Sequence, residues 1–131
     1  MIHIYLIRHS MTAGNLKKRY IGRTDEQLCP EGIVLLESYI QKNAYPKVQR
    51  IYVSPMKRCL ETAELIFKNH GSVSDNFRKI EELRECDFGI FENKNYKELS
   101  GCPEYQAWID SGGTMTFPGG ENPDEFRKRC V

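Results

Sequence analysis

The sequence lacks the features that mark special environments. No run of eighteen apolar residues occurs, so no membrane-spanning helix is expected. Neither sign of charge dominates: 19 Lys and Arg against 18 Asp and Glu leave a net +1. No long-range field therefore favours nucleic acid or a membrane surface as partner. The cysteines, Cys29, Cys59, Cys86, Cys102 and Cys130, are odd in number and form no Cys-x-x-Cys pair or Cys/His cluster. That pattern argues against a disulfide framework or a zinc site, and for reduced thiols in a cytoplasmic protein. The N-terminus enters a charged, strand-like motif at once, so no signal peptide is expected. There is no internal repeat, low-complexity tract or linker. The 131 residues are expected to form one domain with its own core.

What is present alternates strand with helix. Residues 2–7 are short, β-branched and aromatic, and read as a buried strand. Residues 10–29 are loop-like, broken by Gly14, Asn15, Gly22, Thr24 and Asp25. Pro30 suits the first position of a helix to about Lys42, with Ile33, Leu36 and Ile40 on one face. Residues 49–53 read as a second strand. Ser54 is expected to cap the next helix with Pro55 at its first position. That helix carries Leu60, Ala63 and Phe67 on one face and ends near His70-Gly71. A third strand is expected at 78–80, with short helical pieces at 96–99 and 104–109. Gly112-Gly113 and Pro118-Gly119-Gly120 mark a loop. A helix begins at Asn122 or Pro123 with Asp124 and Glu125 in its first turn. It meets no stop signal before Val131, so the expectation is the front part of a longer protein. The alternation predicts an α/β protein with a mainly parallel central sheet covered by helices.

Ligands in open parallel sheets bind at the carboxyl ends of the strands. Arg8-His9 follows the first expected strand and Ser54 to Arg58 the second. If those strands are neighbours, Arg8, His9 and Arg58 converge. Planar guanidinium groups match the oxygens of a phosphoryl group, and the first turn at Arg58 adds free N–H groups. Two fixed cations penalise protonation of His9, leaving it neutral and able to attack phosphorus. Phosphoryl transfer asks mainly for positioning and charge neutralisation, which arginines supply without a metal or other cofactor. The departing oxygen needs a proton, and Glu85 is the candidate donor, because a nearby phosphate dianion favours its protonated form. Taken singly, each piece is ordinary: a lone histidine after a strand is usually packing, Ser-Pro-x-x-Arg a helix start, a lone Glu a surface acid. Their order is the argument. Asp87-Phe88-Gly89 spells a kinase tripeptide without the accompanying loops, so it is chance. Lys17-Lys18-Arg19 is either a solvated loop or an attractor of anions. Trp108 reads as core or as pocket wall.

Five blocks resemble the histidine phosphatase superfamily, also called the phosphoglycerate mutase-like family, over essentially the whole chain. They are Arg8-His9-Ser10-Met11-Thr12-Ala13-Gly14-Asn15; Tyr20 to Asp25 with Leu28 and Gly32; Ser54-Pro55 with Arg58 and Glu61-Thr62-Ala63; Leu83-Arg84-Glu85 with Phe88-Gly89; and Pro118-Gly119-Gly120-Glu121-Asn122. The resemblance implies a three-layer α/β/α sandwich. It implies His9 as phosphorylated nucleophile, Arg8, Asn15 and Arg58 on the phosphate, and Glu85 as proton donor. Thr12, Gly22 and Thr24 are candidate substrate-side residues. Ser10 stands where the family has glycine, which makes a close backbone approach tighter, and Met11 where it has an acid. The family's second histidine, far downstream, has no counterpart here; His3 and His70 read as structural or surface residues. The short stretch from Glu85 to Pro118 is similar to the small phosphatases, including the α-ribazole phosphatase type.

The expectation is a metal-independent phosphomonoesterase acting on a small phosphorylated metabolite through phosphohistidine. Two alternatives stay open: a phosphate-ligand-binding relative without turnover, and a phosphoglycerate-type mutase. Homo-oligomerisation also stays open.

Overall fold

The apolar spacing places helices and strands largely where the sequence puts them. In the computed structural model, which describes residues 1–68 and 77–131, the chain runs α1 (Ala13–Leu16), α2 (Pro30–Gln41), β1 (Ile51–Val53), α3 (Lys57–Phe67), β2 (Phe77–Lys79), α4 (Pro103–Asp110) and α5 (Pro123–Cys130). It divides into two compact units. One comprises Met1–Thr12 with Glu26–Glu81, the other Ala13–Asp25 with Glu82–Val131.

The first unit is built on a β–α–β motif. β1 pairs in parallel with β2, Ile51 opposite Phe77, Tyr52 opposite Arg78 and Val53 opposite Lys79. Parallel strands need a crossover, and α3 supplies it. Ala63, Ile66 and Phe67 of α3 join Leu28, Leu36 and Val53 in one core, with Ile33, Ile40 and Leu60 packed beside them. α2 begins at Pro30, as proline's missing N–H permits at a first position.

Three expectations are corrected here. Residues 2–7 form no strand: Ile2, Ile4 and Leu6 are 89%, 82% and 95% exposed. An apolar run becomes a buried strand only beside a pairing partner, and the ladder of β1 is with β2. Ser54 does not cap α3, and Pro55 is not its first residue. The Ser54 hydroxyl instead accepts locally from Met56 N at 3.5 Å, so Met56 is the residue before the helix. Residues 96–99 are a single turn rather than a helix: Asn95 caps it, its Oδ1 accepting from Lys97 N and Glu98 N at 3.0 Å and its carbonyl from Leu99 N at 3.0 Å. Ser100 N then bonds the Lys97 carbonyl at 3.2 Å, and the helical pattern goes no further. The expected helix end at His70-Gly71 lies outside the described residues.

The second unit packs around aromatic rings. Phe91 is fully buried, and Tyr105, Trp108, Phe117 and Tyr20 surround it at centroid distances of 5.3, 6.0, 6.1 and 6.2 Å. Most of these contacts are edge-on, the arrangement the ring quadrupoles favour. Trp108 is thus a core residue. α4 carries Tyr105 and Trp108 into this cluster, and α5 starts at Asn122, whose side chain accepts from Asp124 N at 2.8 Å. Truncating the central ring removes contacts on every side. Phe91→Ala is expected to lower unfolding free energy by about 3–5 kcal/mol in denaturant titration; a loss below about 1 kcal/mol would show that the cluster is not a core.

Candidate active site

His9 is positioned by its neighbours in the first unit. The His9 Nδ1 lies 2.6 Å from the carbonyl oxygen of Ser10. A carbonyl can only accept, so Nδ1 carries a proton, and in the neutral ring the lone pair is then on Nε2. The next backbone group is anchored as well: Ser10 N donates to Thr62 Oγ1 at 3.0 Å, and that hydroxyl donates to the Arg58 carbonyl at 2.7 Å. One buried hydroxyl thus ties the histidine segment to the turn of α3 that carries Arg58. Arg58 is itself only 1% exposed, so its guanidinium is a fixed charge in a poorly solvated place.

Ser10 is also held to α2. Its hydroxyl donates to the Gly32 carbonyl at 2.7 Å, while Cys29 N and Cys29 Sγ donate to the Met11 carbonyl at 3.0 and 3.3 Å. A Cβ at Gly32 would collide with the Met11 backbone, so the close approach there requires glycine. The serine that replaces a family glycine is accommodated by a hydrogen bond. Residues 9–11 are therefore fastened to the first turn of α2 and the second turn of α3. Because residues 2–7 are not a strand, these side-chain bonds fix His9. Arg8 is exposed, and Thr12 is fully buried, its backbone bridging Leu28.

The other predicted site residues belong to the second unit. Asn15 is half-buried in α1. Gly22 and Thr24 are brought together by Glu92, a residue that no motif or spacing singles out. Its carboxylate accepts from Gly22 N, Arg23 N, Thr24 N, Thr24 Oγ1 and Phe88 N at 3.3, 2.7, 3.2, 2.6 and 3.1 Å. Burial opposes the Glu92 charge, but the Thr24 hydroxyl and the backbone donors outweigh it and hold the group below its ordinary range. Beside this loop a cavity of about 460 Å³ is lined by Arg23, Thr24, Asp87, Ile90 and Glu92, among others. Arg23 and Asp87 face each other there at 3.4 Å.

Glu85 is exposed, and its Oε1 accepts from Cys86 N at 2.8 Å. Cys86 is buried, which with the adjacent Glu121 pushes its thiol up to about 12. Among the described residues no group of three or more His, Cys, Asp or Glu side chains is placed to hold a metal ion, and no helix is long and apolar enough to cross a membrane.

Two outcomes follow from this geometry. Thr62→Val leaves the part-buried Ser10 N–H without its acceptor, so it is expected to cost about 1–3 kcal/mol in denaturant titration, with Thr62→Ser recovering most of it; an unchanged Thr62→Val would remove the hydroxyl's bridging role. Glu92 has a depressed folded value, so its stabilisation is present above the unfolded value and is lost as pH falls through the folded one. Glu92→Gln is expected to melt lower at neutral pH and to show a smaller acid-side drop in melting temperature than the parent chain.

Comparison with known proteins identifies the family. The model of the histidine phosphatase superfamily (branch 1) matches residues 4–131. A Hydrogenobacter thermophilus protein named as a candidate phosphoserine phosphatase, number 2, is 32% identical over 133 residues, covering 98% of this chain and 63% of the relative. A Salmonella typhi protein named as a candidate phosphoglycerate mutase, GpmB, is 28% identical, covering 98% of this chain and 60% of its own length. The chain thus spans about three fifths of the curated relatives it matches. Among solved structures, the Shigella flexneri α-ribazole phosphatase superposes with a TM-score of 0.80 at 24% identity, over 94% of this chain and 60% of that one. TTHB049 of Thermus thermophilus gives 0.71 at 29%, over 94% and 65%. The fold is therefore α/β and phosphoglycerate mutase-like, and the chain belongs to the histidine phosphatase superfamily, branch 1.

Proposed function

We propose that the chain works as a metal-independent phosphomonoesterase on a small phosphorylated metabolite, through phosphohistidine at His9. The observation that supports this most is the His9 Nδ1 contact to the Ser10 carbonyl, on backbone anchored to the turn carrying Arg58. It makes Nε2 the nitrogen that holds the lone pair when the ring is neutral, as a nucleophile requires.

In this reading Arg8, Asn15 and Arg58 neutralise the phosphoryl oxygens. Nε2 attacks phosphorus, the P–O ester bond breaks, and Glu85 gives its proton to the departing oxygen. The Glu85 carboxylate then takes a proton from water as the water attacks the phosphohistidine. The N–P bond breaks, inorganic phosphate leaves, and both residues return to their starting states. Gly22 and Thr24, in the loop held by Glu92, serve the substrate side; Thr12, being buried, serves by holding the nucleophile loop. Residues 1–131 act in this reading as one histidine phosphatase domain.

A mutase reading draws on the GpmB relative, and the product separates the two. A phosphatase releases free phosphate, whereas a mutase returns the phosphoryl group to the substrate.

Hydrolysis of an aryl phosphate in the presence of chelator is expected to persist, and to fall by at least about thousandfold in His9→Ala, roughly 4 kcal/mol of barrier. Full activity in His9→Ala would overturn the reading. A substrate binding with no product in either protein would instead make this chain a phosphate-ligand-binding relative.

A further inference from the structure

The loop carrying Glu85 is held from behind by one side chain. Arg129, in the last turn of α5, donates through Nη1 to the carbonyls of Glu82 and Arg84 at 2.6 and 2.8 Å. Through Nη2 it reaches the Glu85 carbonyl at 3.1 Å and Glu121 Oε2 at 3.0 Å, and through Nε Glu121 Oε1 at 2.6 Å. These bonds use all the N–H groups of a guanidinium. The side chains are 25% and 18% exposed, and the Arg129 guanidinium lies 4.8 Å from the centroid of the Phe126 ring, which limits its rotamers.

Glu121 completes the hold on the other side of Glu85. Its Oε2 accepts from Asp87 N at 3.3 Å, and its own N–H donates to the Asp87 carbonyl at 2.9 Å. The backbone is therefore pinned at positions 82, 84, 85 and 87 by a single ion pair. Hydrogen bonding from Arg129 keeps the Glu121 carboxyl below its ordinary range, which favours the charged form of the pair. The pair draws on the Pro118 to Asn122 block, to which the reaction itself assigns no step.

We propose that Arg129, with Glu121, is a positioning residue for the proton-transfer step: it sets the backbone on which the Glu85 carboxyl stands and touches no substrate. This rests on the reading of Glu85 as proton donor. Lysine keeps the charge but not the planar fork, so it cannot hold three carbonyls and a carboxylate together.

The effect has a signature that general loss of structure lacks. A departing alkoxide needs the acid's proton, while p-nitrophenolate leaves without much help. The test uses the full chain with Arg129→Lys, Glu121→Gln and Glu85→Gln, measuring kcat and KM on an alkyl phosphate and on p-nitrophenyl phosphate. Arg129→Lys and Glu121→Gln are expected to lower the alkyl-to-aryl kcat ratio about tenfold or more, with KM changed less than about twofold, and Glu85→Gln to lower it further. Amide hydrogen exchange in the first two variants is expected to speed up about tenfold at 82–87 while the amides of 105–108 keep their protection.

If Glu85→Gln leaves the ratio unchanged, the proton-donor reading falls and this proposal with it. If Glu85→Gln lowers the ratio but Arg129→Lys slows both substrates equally or neither, the positioning role alone is overturned. Unchanged exchange at 82–87, or exchange accelerated evenly through the second unit, overturns it as well, and neither result requires an active enzyme.

Discussion

One buried hydroxyl carries much of the first unit's organisation. Thr62 Oγ1 accepts from Ser10 N and donates to the Arg58 carbonyl, so a single atom joins the histidine segment to α3. Thr62 is itself only 3% exposed, and a buried polar group left unpaired is costly. Around it the Ser10 hydroxyl and the Cys29 amide attach the same few residues to α2. A histidine on irregular backbone would ordinarily wander. Here it is fixed by the two helices whose apolar faces, through Leu36 and Ala63, build the core.

The second unit solves a similar problem with carboxylates. Glu92 gathers the backbone of 22–24 and 88 into one cluster, and Glu121 with Arg129 gathers that of 82–87. Both loops lack regular ladders, so their N–H and C=O groups need partners from side chains. The cost of bringing an ionised carboxyl into such places is met by the number of donors it finds. The aromatic cluster around Phe91 gives these loops a firm base.

Much of this was legible in the sequence where the signal is local. Pro30 with Ile33, Leu36 and Ile40 announces α2, and Asn122-Pro123 with two acids announces α5, because caps and periodicity act within a few residues. The histidine and arginine blocks were legible by their order along the chain. Residues 2–7 were not: their composition is that of a buried strand, yet burial depends on a partner that composition does not specify. Ser54 misled for another reason, since the same hydroxyl that caps helices also closes short turns. Glu92 and Arg129 gave no signal because their partners lie far off, 68 residues away for the Thr24 hydroxyl and 44 for the Glu85 carbonyl.

Cys86 sets the thiol chemistry of this chain. Its sulfur is buried and keeps its proton through neutral pH, although its own N–H is bonded to Glu85. Electrophiles react with thiolates, so alkylating reagents and peroxides pass over it. The cysteine next to the acid is a silent one, while Cys130 lies exposed at the end of α5. A label attached at Cys130 would sit one residue from Arg129 and report on the acid loop from outside.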